Sequence, residues 1–173
     1  ARKYLFIRLP MTAVDAPEAT PNLPIKTLEG HRILIVDDND TNRMIVREHL
    51  ARLGAVLVEV SDGLSALAAL EEAAQHGTPF DLAILDYHMP DMNGTVLAQA
   101  IRHRPDAAFL PLIMHTSQVR NDHTLHMRTL GVNSYLYKPI SRNRLLESVA
   151  AALGQPQHRL QTPAPDESAP APL

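Results

Sequence analysis

The chain has 173 residues with 16 basic and 19 acidic side chains, a formal charge of −3 and no cysteine. That length holds one domain with a sizeable core, and the charge balance offers no basic patch for nucleic acid. The lack of cysteine excludes disulfides and thiolate metal sites and suits a reducing cytoplasm, no apolar run approaches the roughly 18 to 20 residues that span a bilayer, and the N-terminus lacks a signal peptide's apolar region.

Prolines mark the boundaries. Of the 14, Pro10, Pro17, Pro21 and Pro24 fall within residues 1–30, and Pro156, Pro163, Pro165, Pro170 and Pro172 within the last stretch. Flanks rich in Pro, Ala, Ser and Thr bury too little apolar surface to offset their ordering and read as linkers. The compact domain is therefore expected over 31–154, between a linker at 1–30 and another at 155–173. Ahead of the first linker, Tyr4-Leu5-Phe6-Ile7-Arg8-Leu9-Pro10 is a short β-prone run.

Within the domain, Ile33-Leu34-Ile35-Val36 is a buried strand that ends on the acidic pair Asp37-Asp38. Asp40-Thr41-Asn42 supplies capping residues for a first helix, with Val46, Leu50 and Leu53 at i, i+4, i+7 until Gly54. Val56 to Val60 reads as the next strand. Ser61-Asp62-Gly63 then leads into an alanine-rich helix with Leu64, Leu67 and Leu70 in its stripe. Leu82 to Leu85 is too short for a helix and sits between breakers, so it is a strand buried on both faces. Asp86 closes it. Met89-Pro90 breaks any helix and Gly94 permits a tight turn before a short helix with Leu97, Ala100 and Ile101. Leu112 to His115 is the fourth strand and ends on Thr116. Val119 to Leu130 is helix-length, with few apolar positions and no clean stripe. A fifth strand, Tyr135-Leu136-Tyr137, ends on Lys138-Pro139, and Ser141 can cap a last helix carrying Leu145, Leu146, Val149 and Leu153. Strands alternating with helices predict a doubly wound parallel α/β sheet with right-handed crossovers.

Four strand ends thus carry acids, a hydroxyl and an amine, and ligands bind at the carboxyl ends of such sheets. Each element alone has an ordinary explanation: acids cap helices, a lysine is solvated, a threonine ends a strand. Together, Asp37-Asp38, Asp86, Thr116 and Lys138-Pro139 in this order resemble the receiver domain of two-component response regulators, over roughly Arg32 to Leu153. The resemblance implies a five-stranded flavodoxin-like (βα)5 fold with sheet order 2-1-3-4-5, which brings Asp37, Asp38 and Asp86 to one crevice. It also implies a cis peptide at Lys138-Pro139.

Three crowded carboxylates repel unless a cation lies between them, and hard oxygen ligands suit Mg²⁺. By resemblance Asp38 and Asp86 ligate Mg²⁺ directly, Asp37 acts through water, and the backbone carbonyl of His88 completes the protein ligands. Asp86 is then the phosphoacceptor, attacking a phosphohistidine of a histidine kinase or histidine phosphotransfer domain to form an acyl phosphate. Lys138 and Thr116 serve the phosphoryl oxygens. Thr116 and Tyr135 would act as a switch, and His88 and Gln118 flank the path of the hydrolytic water and set the lifetime of the phosphorylated state. His115, before Thr116, is polar where receivers commonly carry an apolar residue, so strict burial of that strand face is not expected. A zinc site from His88, His115, His123 and His126 has no supporting cysteine, and only His123 and His126, at i, i+3, have a spacing that suits one element.

The run Tyr4 to Pro10 looks like the last strand of a histidine-kinase ATP-binding domain. Together these resemblances imply the receiver of a hybrid sensor histidine kinase, cytoplasmic, in a parent that can be membrane-anchored, with an intramolecular contact to the kinase core. The segment itself is at most a phosphoacceptor that hydrolyses its own phosphate. Two other classes compete. A pseudo-receiver would bind partners without phosphate, but typically lacks part of the acid pair, the Asp or the Lys. A haloacid-dehalogenase-type phosphatase usually needs a second Asp two residues after the nucleophile, where this chain has His88.

Overall fold

The structure is a computed structural model that describes residues 27–117 and 130–154. The elements are β1 (Arg32–Val36), α1 (Asp40–Ala51), β2 (Val56–Val60), α2 (Gly63–Gln75), β3 (Leu82–Asp86), α3 (Gly94–Arg102), β4 (Leu112–Thr116), β5 (Ser134–Tyr137) and α4 (Arg142–Gly154). All strand pairs are parallel, and the sheet order is β2-β1-β3-β4-β5. This is the expected doubly wound order. The segment Val119 to Leu130, expected as a further helix, lies outside the described residues except for Leu130, as do Tyr4 to Pro10 and the C-terminal linker.

Strand side chains alternate between faces, so each strand feeds two cores. Leu34, Val36, Ala83, Leu85, Leu112 and Met114 pack with Ala66, Leu70, Leu97 and Ile101 of α2 and α3. Ile33, Ile35, Leu82, Ile84, Ile113 and Leu136 pack with Val46, Leu50, Leu145, Leu146 and Val149 of α1 and α4. β3 and β4 are buried throughout, whereas β2, at the sheet edge, is half-buried.

Several local expectations need correction. The N-cap of α1 is Asn39, one residue ahead of the expected capping run Asp40-Thr41-Asn42, because its side chain accepts from the backbone N–H groups of Thr41 and Asn42. Leu64 is 69 % exposed. It stands one residue off the stripe formed by Gly63, Ala66, Leu70 and Ala73, which faces the core instead. Leu53 falls past the end of α1 and packs against the core from the following turn.

Gly94 is needed for a different reason from the one expected. Its φ is not positive. A Cβ there would stand 2.4 Å from the Asp86 carbonyl oxygen and 2.7 Å from Met114 Sδ. The missing side chain lets the start of α3 press against the end of β3. The Lys138–Pro139 peptide is cis, as the resemblance implied.

Candidate functional site

The alternation that builds the cores also builds the site. Ile33-Ile35 continues to Asp37, Leu82-Ile84 to Asp86, Ile113 to His115, and Leu136 to Lys138, each in steps of two along one strand direction. All four polar groups therefore emerge on the face shared with α1 and α4, at the carboxyl end of the sheet. Register fixes their height: Asp86 lies beside His115 and Thr116 beside Tyr137. Backbone bonds then tie the loops together. Tyr87 N–H donates to the His115 carbonyl (2.8 Å), Gly94 N–H to that of Tyr87 (3.0 Å) and Lys138 N–H to that of Thr116 (2.9 Å).

Asp37, Asp86, His115 and Thr116 are the buried polar residues of the domain's described part. Lys138 Nζ lies 2.9 Å from Asp86 Oδ1 and 3.2 Å from Asp37 Oδ2, so one ammonium bridges two carboxylates. Asp37 Oδ1 accepts from Asn39 N–H (2.9 Å) and Asn42 Nδ2 (3.1 Å). His115 Nδ1 stands 3.5 Å from Asp37 Oδ2.

The two acids respond oppositely. Burial alone would raise the Asp37 pKa, but His115, the Asn39 N–H, Asn42 and the charge of Lys138 outweigh it and hold the carboxyl below the ordinary range. At Asp86, burial pushes the pKa up, reinforced by the charge of Asp37 and only partly offset by Lys138 and the His88 N–H. Asp86 is thus the under-neutralised group. A cation would relieve it.

Asp37, Asp86 and His115 each offer a ligand atom within 4.8 Å of the others. Asp38 stands outside that group and is exposed. The carboxylates of this group fit Mg²⁺, with hard oxygens, no thiolate and an unbalanced buried negative charge, whereas the His115 ring nitrogen is not a donor that Mg²⁺ favours. His88 is exposed and its ring meets Tyr87 edge-on, with centroids 4.6 Å apart. Thr116 is buried at the strand end, and Tyr135 is half-buried against the α2–α3 core. Gln118 lies outside the described residues.

Two findings about His115 depart from the sequence reading. The face is strictly buried despite the polar residue, with His115 3 % exposed, because the ring finds Asp37. It is also part of the site. The signal was available in the strand period, since His115 follows Ile113 by two and must share its face.

A parallel α/β sheet of order 2-1-3-4-5 with acids, an amine and a hydroxyl at its carboxyl edge defines a flavodoxin-like domain with an acidic crevice. Comparison with known proteins narrows this. Residues 33–150 match the model of the response regulator receiver domain, and the chain belongs to that family. It is 35 % identical over 119 residues to the chemotaxis protein CheY of Pseudomonas aeruginosa, covering 68 % of this chain and 92 % of that protein. It is 36 % identical over 166 residues to the virulence sensor protein BvgS of Bordetella bronchiseptica, covering 90 % of this chain but only 12 % of that protein. Among solved structures, CheY4 of Vibrio cholerae aligns with a TM-score of 0.66 and 28 % identity, over 71 % of this chain and 98 % of that one. The phosphorylated cyanobacterial phytochrome response regulator RcpA aligns with a TM-score of 0.60 and 26 % identity, over 69 % of this chain and 89 % of that one. No helix among the described residues is long and apolar enough to cross a membrane.

Proposed function

We propose that this domain accepts a phosphoryl group from a phosphohistidine onto Asp86 in a Mg²⁺-dependent two-component relay. The observation that carries the reading is Asp86 itself: a buried carboxylate, raised in pKa, held by one shared ammonium at the carboxyl end of the central strand. An Asp86 oxygen attacks phosphorus, the P–N bond breaks, and the donor imidazole leaves with the electron pair. The product is an acyl phosphate. Such transfers need positioning and positive charge more than covalent help.

Lys138 already points at Asp86 and would follow the charge onto the phosphoryl oxygens. Asp37 is engaged by four donors, so direct ligation of the cation falls to Asp86, the exposed Asp38 and the His88 carbonyl, with Asp37 acting through water. When bound, the Mg²⁺ would supply charge neutralisation between the carboxylates and the incoming phosphoryl oxygens. Thr116 would donate to the phosphoryl group and Tyr135 would turn inward behind it. His88 and Gln118 would flank the hydrolytic water and tune the lifetime.

The likeness to BvgS and to the sensor histidine kinase GacS of Pseudomonas protegens supports a place inside a hybrid sensor kinase. The BvgS match runs over 166 residues, beyond the receiver itself, which supports a linker at 1–30 carrying the last strand of a histidine-kinase ATP-binding domain; on this reading 155–173 is a Pro/Ala-rich linker and the segment is cytoplasmic. A histidine kinase or histidine phosphotransfer domain is then the partner, in the same chain or another.

The test uses acetyl phosphate, whose P–O bond breaks to release acetate. With Mg²⁺ the wild type should gain one phosphoryl mass, Asp86→Asn none, and chelation should abolish the gain. Undiminished labelling of the Asn variant would remove Asp86 from the role.

A further inference from the structure

Asp37 Oδ2 faces two nitrogens rather than one. Lys138 Nζ stands at 3.2 Å and His115 Nδ1 at 3.5 Å, both at or beyond the long end of ordinary hydrogen bonds. One oxygen is being shared. The other imidazole nitrogen, Nε2, is buried with no hydrogen-bond partner among the described residues. A buried ring with an unpaired nitrogen carries a desolvation cost that an aliphatic side chain would not. Something must offset it.

A ligand role is disfavoured by occupancy. His115 Nδ1 is already engaged with Asp37 Oδ2, on the acid that the proposed cation reaches only through water. Among the described residues the ring's ion-pair contact is with Asp37. Beside it lies a cavity of about 100 Å³ lined by Asn42, Ile45, His115, Lys138, Pro139 and Ile140, which leaves the ring and the lysine stem room to shift.

We propose that His115 is a positioning residue: it holds Asp37 when Lys138 leaves that carboxylate for a phosphoryl group on Asp86. The inference rests on the reading of Asp86 as phosphoacceptor. In the resting site one ammonium serves both acids. When the phosphoryl group draws it away, Asp37 Oδ2 loses that partner in a buried setting, and an Nδ1–H of His115 closing from 3.5 Å takes its place. With an aliphatic residue at 115 that oxygen would keep only the water toward the cation. His115 therefore lowers the cost of releasing Lys138 and strengthens binding of the phosphoryl state, without contributing to the cation site directly.

The experiment titrates beryllofluoride, a phosphoryl mimic, into wild type, His115→Leu and His115→Gln at saturating Mg²⁺ by calorimetry, with Mg²⁺ affinity measured separately. The Leu variant should bind the mimic about tenfold more weakly, the worth of one charge-assisted hydrogen bond, with Mg²⁺ affinity within twofold of wild type. The Gln variant, which keeps an N–H donor, should recover most of the loss. Wild-type mimic affinity in the Leu variant, or equal losses of mimic and Mg²⁺ affinity, would overturn the proposal. A wild type that binds no beryllofluoride defeats the phosphoacceptor reading and this one with it. A measurement on the wild type alone guards against a misfolded Leu variant. The His115 Nδ1–H proton resonance should move downfield as the mimic binds, and an unmoved resonance also overturns the proposal.

Discussion

Asp86→Asn should make the resting domain more stable, not less. The carboxylate is 2 % exposed, and its oxygens lie within 4.8 Å of those of Asp37. Like charges at that separation repel by about 3 to 4 kcal/mol at an effective dielectric constant of about 20. Asparagine keeps the shape and removes the charge. The ion pair with Lys138 is lost, but that ammonium is not stranded, because Asp37 is 3.2 Å away and takes it alone. This separates the case from an ordinary buried pair, where deleting one partner leaves an unpaired charge. The attraction to Lys138 at 2.9 Å exceeds that repulsion taken alone, but burial and repulsion together outweigh it, which is why the carboxyl is raised, so the sign is a net gain, read as a rise in Tm of a few degrees, about 1 kcal/mol for a domain of this size. Urea melts without Mg²⁺ should show a higher midpoint and unchanged slope. The pH dependence carries the sign. A carboxyl raised on folding binds more protons in the native than in the unfolded state, so wild-type stability falls as pH rises from the ordinary carboxylate pKa of about 4 through the raised native value. The advantage of the Asn variant should be full above that window and vanish below it. Adding Mg²⁺ should stabilise the wild type more than the variant. A variant less stable than wild type at pH 7 without Mg²⁺ would refute the claim that Asp86 is under-neutralised.

Arg102 donates to the carbonyls of Leu130 (3.1 Å), Leu110 (2.8 Å) and Gly131 (2.8 Å). Counting only the two half-buried bonds, Arg102→Ala should cost about 3 kcal/mol by chemical denaturation, and Arg102→Lys, which lacks the fork, should recover less than half. Gly94→Ala should cost about 2 to 3 kcal/mol, because its Cβ meets the Asp86 backbone oxygen, which cannot give way. Gly63→Ala, whose added Cβ meets the flexible Met92 side chain, should stay within about 1 kcal/mol of wild type in the same melts.

The strands were legible because a fully buried parallel strand is a short apolar run between breakers, as at Ile33 to Val36 and Leu82 to Leu85. Their order was not. Alternation of strand and helix leaves the permutation open, and it came from the resemblance carried by Asp37-Asp38, Asp86, Thr116 and Lys138-Pro139. Helix starts were read one residue off at Asn39, since Asx and acidic residues cap interchangeably and only geometry decides which side chain reaches back. Leu64 misled for a related reason. Near a helix start an apolar residue has no earlier turn to align with, and the small residues Gly63 and Ala66 are the buried ones. His115 was noticed as an oddity of burial rather than as a neighbour of Asp37, because its partner lies two strands away and becomes visible only when strand order and side-chain period are applied together.

The charge of the site argues for an order of events. Two buried carboxylates share one ammonium, and the exposed Asp38 adds a third negative charge at the rim. Phosphorylated side chains carry about −1.5 to −2 at neutral pH. Placing a group of that kind on Asp86 without another cation would leave one lysine against more than three negative charges in a low-dielectric crevice. On the proposed reading the divalent ion must therefore arrive before or with the phosphoryl group, and the phosphorylated state should be Mg²⁺-dependent in stability as well as in rate. The requirement also explains the packing of the donors. Asp37 is held ionised by backbone and side-chain N–H groups, so the acid that stays anionic is the one already well paired, while Asp86 keeps the raised pKa and only a shared ammonium for counter-charge, as a site awaiting more positive charge would.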